Sequence, residues 1–475
     1  MRARRLLTQS MLVRCVAVLL AWLLAPQHAL AHGIPVQAKD LPVPLSWFYA
    51  GAGSALVVSF ALLGGLWRSP RLTAPAWRAL PRRLDHLLQH QVIVGGSRAL
   101  MAALVMLTLV AATFGTTEVG DNLAPFAVFI GFWLVLLPAS VVVGDLWRAM
   151  HPAHVIGRLL GRTNDERAAD AGLWWAALGI AAFAWWELVY PTASNVRLLG
   201  LLVAAWLILN VWGVRRVGTA TWLTSHEPFA VYSGLLARLA PLERRDGRLG
   251  LRWPLTGALQ QPPVAGLSLM CVMLIGTVSY DGLSRTRWWT VLVADATQQA
   301  SSMGLEAAHA RLVFGTFGLI TIALFAYVAF EASCVAAAHL GKIHRRPGAP
   351  RLSDRCAPTL LPIAVGYLIA HYASFLIVQG QGLIRAMSDP LGLGWNLLGT
   401  AEMAIHSGVL SPASIWFIQV GAIVVGHVAA LMLAHERALE LTTSPGAAMR
   451  SQLAMLVLML VYTVGGLYFL SEGMM

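Results

Sequence analysis

Long apolar runs recur along the whole chain and are separated by short polar segments. A helix that crosses a bilayer needs about 20 mostly apolar residues, and ten segments approach this length. We predict spans at about 47–67, 92–114, 126–144, 172–190, 196–213, 264–281, 310–333, 359–380, 412–434 and 451–471. The pattern therefore predicts an all-α fold, a polytopic transmembrane helical bundle.

The N-terminal segment has the pattern of a secretory signal peptide. Four arginines accompany ten apolar residues at 15–24, and Ala-Leu-Ala at 29–31 is a small-x-small cleavage site. Ten apolar residues are too few to span a bilayer, although a retained anchor is the alternative. We predict that residues 1–31 are removed and that 32–475 is a single helical membrane domain beginning at His32.

Composition and charge agree with a membrane protein. Hydrophobic residues make up 57% of the chain and charged residues 12%. A net charge of +12 favours nucleic acid in a soluble protein, but 23 of the 34 Lys and Arg residues lie in alternate loops between the spans. This asymmetry matches the positive-inside rule. It predicts a bacterial-type inner membrane protein with both mature termini outside, a lipid-bilayer environment and no nucleic-acid partner.

The longest inward loop, 214–263, consists of short amphipathic pieces broken by prolines. We predict that it lies on the membrane surface. The segment 145–162 has the apolar and basic pattern of an interfacial helix, and we interpret its His151 and His154 as interfacial residues.

Ionisable and strongly polar residues inside spans are costly and are candidates for function. An outer group is predicted near the outward ends of the spans: Glu187, Asp281, His371, Tyr372, Gln379 and Gln381. Outward loops add two pairs at helical spacing, Glu306 with His309 and Glu402 with His406. Such pairs suit a divalent metal ion, and the alternative is an exposed helix face near the membrane.

His32 becomes the mature N-terminus if the predicted cleavage occurs. Its terminal amine and its imidazole are then able to chelate one metal ion, and copper suits such an all-nitrogen site. The alternative is an ordinary structural role.

A second polar cluster is predicted toward the inward side: Glu331, His339, His427 and His435, with Glu436 beside the last. Residues eight positions apart lie on nearly the same helical face. Each helix then presents a polar line to the other, as in a proton relay or a transporter gate. The alternative is an interhelical hydrogen bond that fixes packing.

The chain resembles the polytopic membrane proteins called fenitrothion hydrolases. The resemblance is carried by PIAVGYLIAHYASFLIVQGQ (362–381), SDPLGLGWNLLGTAE (388–402), SPASIWFIQVGAIVVGHVAALMLAHERALE (411–440), AHGIPVQAKDLPVP (31–44), WELVYP (186–191) and TVSYDGLSR (277–285). Asn396 and Glu402 depart from the family pattern, where aspartates are expected.

The resemblance implies hydrolysis of phosphorothioate triesters such as fenitrothion, with release of a nitrophenol and a dialkyl thiophosphate. The substrate is then a hydrophobic small molecule. On this hypothesis His32, Asp281 and His371 hold a divalent metal ion, whose identity is open. Glu187 is the general base, and Tyr372 or Gln379 steadies the phosphoryl centre.

Two other classes of function remain open. In an ion or metal transporter, or another metal-handling membrane protein, the inner and outer groups line one continuous polar pathway, whereas a hydrolase needs one convergent site. A non-catalytic subunit that anchors a membrane partner is the third hypothesis. The sequence contains no Walker A, GxSxG or HExxH motif, which argues against nucleotide hydrolysis.

Overall fold

The computed structural model describes residues 44–72, 77–162, 172–344 and 347–472. It is 77% helical, which confirms the all-α helical bundle. The long helices are α1 (Leu45–Leu66), α2 (Gln91–Phe114), α3 (Leu123–Val143), α4 (Trp174–Leu188), α5 (Val196–Val217), α6 (Leu267–Ser284), α7 (Arg287–Ser302), α8 (Ala307–Gly341), α9 (Leu361–Ser388), α10 (Pro412–Leu441) and α11 (Pro445–Glu472).

Within these described ranges, nine helices are long and apolar enough to cross a membrane, namely all of the long helices except α4 and α7. The chain is therefore a multi-pass membrane protein. The predicted span 172–190 corresponds to α4, which has 15 residues. At 1.5 Å per residue α4 is about 22 Å long, shorter than a hydrocarbon core of about 30 Å. A tenth crossing thus stays a prediction, as does the signal peptide, which lies outside the described residues.

The long loop 214–263 contains a β-hairpin that its amphipathic pattern did not predict. Strands β2 (Leu242–Arg245) and β3 (Arg248–Leu251) pair antiparallel, and β1 (Arg78–Ala79) pairs antiparallel with β3, giving the order β1-β3-β2. Both turn residues, Asp246 and Gly247, have positive φ of 48° and 78°. An Asp-Gly pair at such a tight turn is a known hairpin signal.

Part of the same loop is buried rather than lying on a surface. Seven of the nine residues of helix Pro228–Leu236 are buried, because this helix packs against α3 and α4. The other short helical segments are Arg82–Gln89, Val119–Asp121, Leu146–Met150, Ala153–Leu159, Thr219–Thr221, Trp222–His226, Ala237–Leu239, Thr256–Leu259, Leu352–Cys356, Ala357–Leu360 and Ser407–Val409.

His151 is fully buried within the protein, and its interpretation as an interfacial residue stays a prediction. Its Nδ1 accepts a hydrogen bond from the Ala153 N–H at 3.0 Å, and its Nε2 lies 3.6 Å from Glu227 Oε2. Glu227 in turn accepts from the Trp206 Nε1–H at 3.0 Å. His154 is only partly buried and contacts the Arg148 carbonyl at 2.9 Å.

The centre of the bundle is α6, whose apolar window is 89% buried. It contacts α4, α8, α9 and α11, while α10 packs against α9, α11 and α1. The α9–α10 contact is close because Gly366 and Gly426 lie in it. A Cβ on Gly366 would lie 2.6 Å from the Ala422 carbonyl oxygen, and one on Gly426 would lie 2.6 Å from that of Pro362. Small residues allow such backbone approach between membrane helices.

Candidate functional site

A compact group of polar side chains lies where α4 and α6 end and α9 passes them. We call its five residues, Glu187, Asp281, Arg285, His371 and Tyr372, the Asp281 site, and this part of the bundle the Asp281 end. All but Arg285 were expected from the sequence. The structure brings side chains from three helices together in one place.

Asp281 and Arg285 form the charged centre of the Asp281 site. The Arg285 Nη2 lies 2.9 Å from Asp281 Oδ1 and 3.1 Å from Oδ2, and its Nε lies 3.2 Å from Oδ1. The spacing of four residues places both side chains on one face of α6. Asp281 is 2% exposed, whereas the Arg285 side chain is 31% exposed. The arginine therefore pairs with a buried carboxylate while part of its own side chain stays exposed.

His371 lies on the other side of the Asp281 carboxylate. Its Nδ1 is 3.7 Å from Asp281 Oδ2, an ion-pair distance that is longer than a hydrogen bond. Gly282 permits this approach, because a Cβ on it would lie 3.1 Å from the His371 Cε1. The imidazole is thus held between the carboxylate and the backbone of α6.

Glu187 and Tyr372 form the second half of the site. The Tyr372 hydroxyl donates a hydrogen bond to Glu187 Oε1 at 3.3 Å. Glu187 also interacts electrostatically with Asp281 and Arg285. The Glu187 and Asp281 carboxylates therefore both interact with the Arg285 guanidinium. Glu187 is able to accept further hydrogen bonds besides the one from Tyr372.

The remaining residues of the predicted outer group lie apart from this site. Gln379 is two turns beyond Tyr372 on α9, about 10 Å along the axis, and within the described chain its side chain makes no hydrogen bond. Gln381 accepts from the His406 N–H at 3.0 Å and donates to its carbonyl at 2.9 Å. Gln381 therefore fixes a loop. His32 lies outside the described residues.

The two predicted carboxylate–histidine pairs have different outcomes. Glu306 Oε2 lies 3.2 Å from His309 Nδ1 and its side chain is 59% exposed, so the predicted proximity is confirmed, although Glu306 precedes the first residue of α8 as its N-cap. The prediction that Glu402 and His406 share a helical face is wrong, because that segment forms turns and irregular backbone. Asn396 accepts from the Ser388 hydroxyl at 2.9 Å and caps the same loop.

The described residues do not form a metal centre as they stand. In the ranges that the structure covers, no three His, Cys, Asp or Glu side chains are grouped closely enough to hold an ion. Asp281 and His371 supply two of the three predicted ligands, but Arg285 engages both oxygens of Asp281. A guanidinium in that position repels a cation.

His435 and Glu436 bind the end of α1 at the opposite end of the bundle. His435 Nε2 lies 2.8 Å from the Trp67 carbonyl oxygen, and its Nδ1 pairs with Gln452. Glu436 accepts from the Trp67 Nε1–H at 3.0 Å and from the backbone N–H groups of Arg71 and Leu72. We call this arrangement the Trp67 clasp, and this part of the bundle the Glu436 end.

The rest of the predicted second cluster is dispersed. Glu331 accepts from the Ser268 hydroxyl at 3.1 Å, His339 is exposed at the end of α8, and His427 is fully buried within α10. Because α8 packs mainly against α6 and α11, while α10 packs against α9, α11 and α1, the two helices do not present one shared polar line.

A tyrosine that sequence reasoning overlooked, Tyr367, lies between His371 and His427. The Tyr367 ring stacks on His371 with centroids 6.4 Å apart and meets His427 edge-on at 5.9 Å. His427 Nδ1 bonds to the Ile423 carbonyl at 2.9 Å, while its buried Nε2 has no hydrogen-bond partner among the described residues. Spacing gave a signal for Tyr367, since it lies four residues before His371 on the same face.

Comparisons with protein-family models, with curated proteins and with solved structures returned no match.

Proposed function

We propose that this chain is a membrane-embedded hydrolase of apolar organophosphorus triesters, with the phosphorothioate fenitrothion as a representative substrate. The observation that carries the proposal is the convergence of a carboxylate–phenol pair, a carboxylate–histidine pair and a partly exposed guanidinium at one end of the bundle. The sequence resemblance is the second support. A convergent site of this kind is what a hydrolase needs.

The proposed reaction is attack of one water molecule on phosphorus. The bond between phosphorus and the aryl oxygen breaks, and a nitrophenolate and a dialkyl thiophosphate leave. Glu187 takes the proton from the attacking water. A nitrophenolate is a stable anion and departs without protonation, so the reaction needs chiefly a base and a group that balances the charge developing at phosphorus.

Arg285 is the group that we assign to charge stabilisation. Its Nε and Nη2 hold Asp281, which leaves the Nη1 hydrogens directed elsewhere. Asp281 therefore positions the guanidinium, while His371 is the second group able to accept a proton. Tyr372 orients Glu187 through its hydrogen bond. Gln379 remains a proposed contact for a more distant part of the substrate.

No step of this mechanism passes through a metal ion. The arrangement of Arg285 on Asp281 does not fit a cation, and ligation by His32, Asp281 and His371 stays a prediction because His32 lies outside the described residues. A chelator distinguishes the two versions of the mechanism.

The proposed location is a bacterial-type inner membrane, with the Asp281 end on the outer side and α4 as a tenth crossing. The proposal also includes cleavage after residue 31 and mature termini on the outer side. The support is the charge asymmetry of the loops, because basic residues favour the cytoplasmic side. An apolar triester that partitions into the bilayer then reaches the site from the outer leaflet.

The test is release of nitrophenolate from fenitrothion by membranes that contain this chain alone, with and without a chelator. We expect release by the wild type and loss of release in Asp281→Asn and His371→Ala. Glu306→Gln is the matched control, an exposed carboxylate at the same end, and its rate should equal that of the wild type. Absence of release by a folded wild-type chain would reject the proposal and favour a non-catalytic subunit.

Proton-coupled transport is the second candidate, and a specific observation favours it. The column His371–Tyr367–His427 runs inward from the Asp281 site, and the buried His427 Nε2 is unpaired within the described chain. Such groups serve proton relays in membrane proteins. Proteoliposomes with an internal pH dye test this function. Proton flux that disappears in His427→Ala, without hydrolysis by the wild type, would support transport.

A further inference from the structure

A cleft of about 620 Å³ lies between α7 and α8 at the Asp281 end. Its volume falls in the range of about 300–1,000 Å³ that small-ligand sites have. Successive turns of α7 line one side with Trp289, Thr290 and Thr297. Arg311 of α8 lies on the other side. None of the residues introduced above as parts of the Asp281 site lines this cleft, which makes it a separate feature.

Two hydrogen-bond donors of the cleft, Thr297 and Arg311, make no hydrogen bond within the described chain, whereas the Ser284 and Thr290 hydroxyls donate to backbone carbonyls. Thr297 is 7% exposed, and its hydroxyl has no hydrogen-bond partner in the described part of the chain. The exposed Arg311 guanidinium likewise makes no ion pair or hydrogen bond with a described residue. Gln298 and Ser301 add an amide and a hydroxyl. Buried polar groups are nearly always paired, so the Thr297 hydroxyl is a donor that is available to a ligand in the cleft.

The charge of the residues that line the cleft indicates the charge of the ligand. Among the described residues that line the cleft there is one cation, Arg311, and no carboxylate. Guanidinium groups bind phosphate oxygens with matched geometry, and hydroxyl and amide donors complete such sites. The apolar part of the lining, with Trp289, Val293 and Ala294, suits alkyl chains.

We propose that this cleft binds a phosphodiester monoanion that carries apolar groups. Arg311 and Thr297 hold the phosphate oxygens, and the Trp289 side of the cleft holds the alkyl part. Two sources share this chemistry, namely a phospholipid headgroup and a small dialkyl phosphate. The proposal does not depend on the hydrolytic activity, since binding is measured without turnover.

The test is equilibrium binding to the purified full-length chain in a neutral detergent. The probes are dibutyl phosphate, dihexanoyl phosphatidylglycerol and, as a zwitterionic reference, dihexanoyl phosphatidylcholine. We expect saturable binding of at least one of the two anionic probes. Arg311→Gln should weaken it about tenfold, because a charge-assisted hydrogen bond is lost. Arg287→Gln removes another exposed arginine, which lies on α7 outside the cleft, and should leave binding unchanged.

A second variant separates binding from folding. Thr297→Val keeps the side-chain shape and removes the unpaired hydroxyl, so it should weaken binding a few-fold without lowering the melting temperature. Binding of phosphatidylglycerol alone assigns the site to lipid, and competition between both anions assigns it to the shared phosphodiester group. The proposal is overturned if neither anion saturates, or if Arg311→Gln and Arg287→Gln weaken binding equally.

Discussion

The Asp281 site and the Trp67 clasp both contain a buried histidine and carboxylate on membrane helices, yet their hydrogen bonding differs. In the Trp67 clasp, Glu436 accepts from an indole and two backbone N–H groups, and both nitrogens of His435 are engaged. In the Asp281 site, Glu187 accepts one long bond from Tyr372. His371 approaches Asp281 only at 3.7 Å.

This contrast separates a structural role from a chemical one. A polar group whose bonding capacity is filled by the protein stabilises the fold and has little left for a substrate. A group with remaining capacity in a partly open site is a candidate for catalysis. The hydrogen bonds that a buried ionisable residue makes therefore indicate its role in a membrane helix better than its burial alone does.

The largest expected effect comes from breaking the Trp67 clasp. Glu436→Gln leaves one or more of the three donors on residues 67–72 unpaired, and we expect the free energy of unfolding to fall by about 3 kcal/mol. Thermal unfolding in detergent measures this change. Glu306→Gln, at an exposed carboxylate, should change stability little, and an equal loss in both variants would contradict the structural role of Glu436.

The next effect concerns the close approach of α6 to His371. A Cβ introduced by Gly282→Ala would lie 3.0 Å from the Phe469 Cβ and 3.1 Å from the His371 Cε1, so both side chains must shift by a few tenths of an ångström. We expect the rate of nitrophenolate release to fall about tenfold, since misplacement of reacting groups is costly. Gly465→Ala is the control, because nothing lies within 4 Å of the new Cβ. An unchanged rate in Gly282→Ala would contradict the expectation that the position of the His371 ring limits the reaction.

A smaller effect is expected for the bond that orients Glu187. Tyr372→Phe removes the hydroxyl that donates to this carboxylate, and the rate should fall about three- to tenfold, as expected for one long hydrogen bond to a carboxylate. Tyr468→Phe, at a tyrosine that is 36% exposed, is the matched control. A kinetic comparison at saturating substrate tests whether the catalytic rate constant, rather than substrate binding, has changed.

The smallest effect concerns Asp85, a carboxylate outside the spans whose bonding is filled, like that of Glu436. The Leu249 N–H donates to it at 3.0 Å, and this bond, with one from Gln89, lowers the pKa of the Asp85 carboxyl below its ordinary value of 3.8.

A lowered pKa means that Asp85 stabilises the sheet above pH 3.8, and that this contribution is lost as the pH falls through the folded-state pKa. Amide hydrogen exchange in β3 should therefore accelerate at low pH, after correction for the intrinsic exchange rate. Asp85→Asn should show little further change across the same interval. Equal pH dependence in both proteins would contradict the assignment.

Much of the fold could be predicted because the length of an apolar segment indicates whether it is able to cross a membrane. Nine predicted spans correspond to helices of sufficient length among the described residues. The β2–β3 hairpin was missed although Asp246-Gly247 is a turn signal, because the surrounding loop was interpreted from its amphipathic pieces alone. The length of α4 was not predicted, because hydropathy does not determine at which flanking polar residues a helix ends.

The candidate site could be predicted only in part. Glu187, Asp281, His371 and Tyr372 were identifiable as polar residues within apolar segments. Arg285 was counted as a loop charge, although its spacing of four residues from Asp281 was visible. The partners of Glu436 could not be found, since Trp67 lies 369 positions away. A single sequence carries no information about which distant segments meet.

The central claim is tested most directly by the rate of nitrophenolate release per folded molecule, measured side by side in Glu187→Gln and Glu436→Gln. We predict that Glu187→Gln melts like the wild type and loses about 10²- to 10⁴-fold in rate, as removal of a general base does. Glu436→Gln should melt lower and keep the wild-type rate per folded molecule. A wild-type rate in Glu187→Gln, or the reverse pattern between the two variants, would contradict the account.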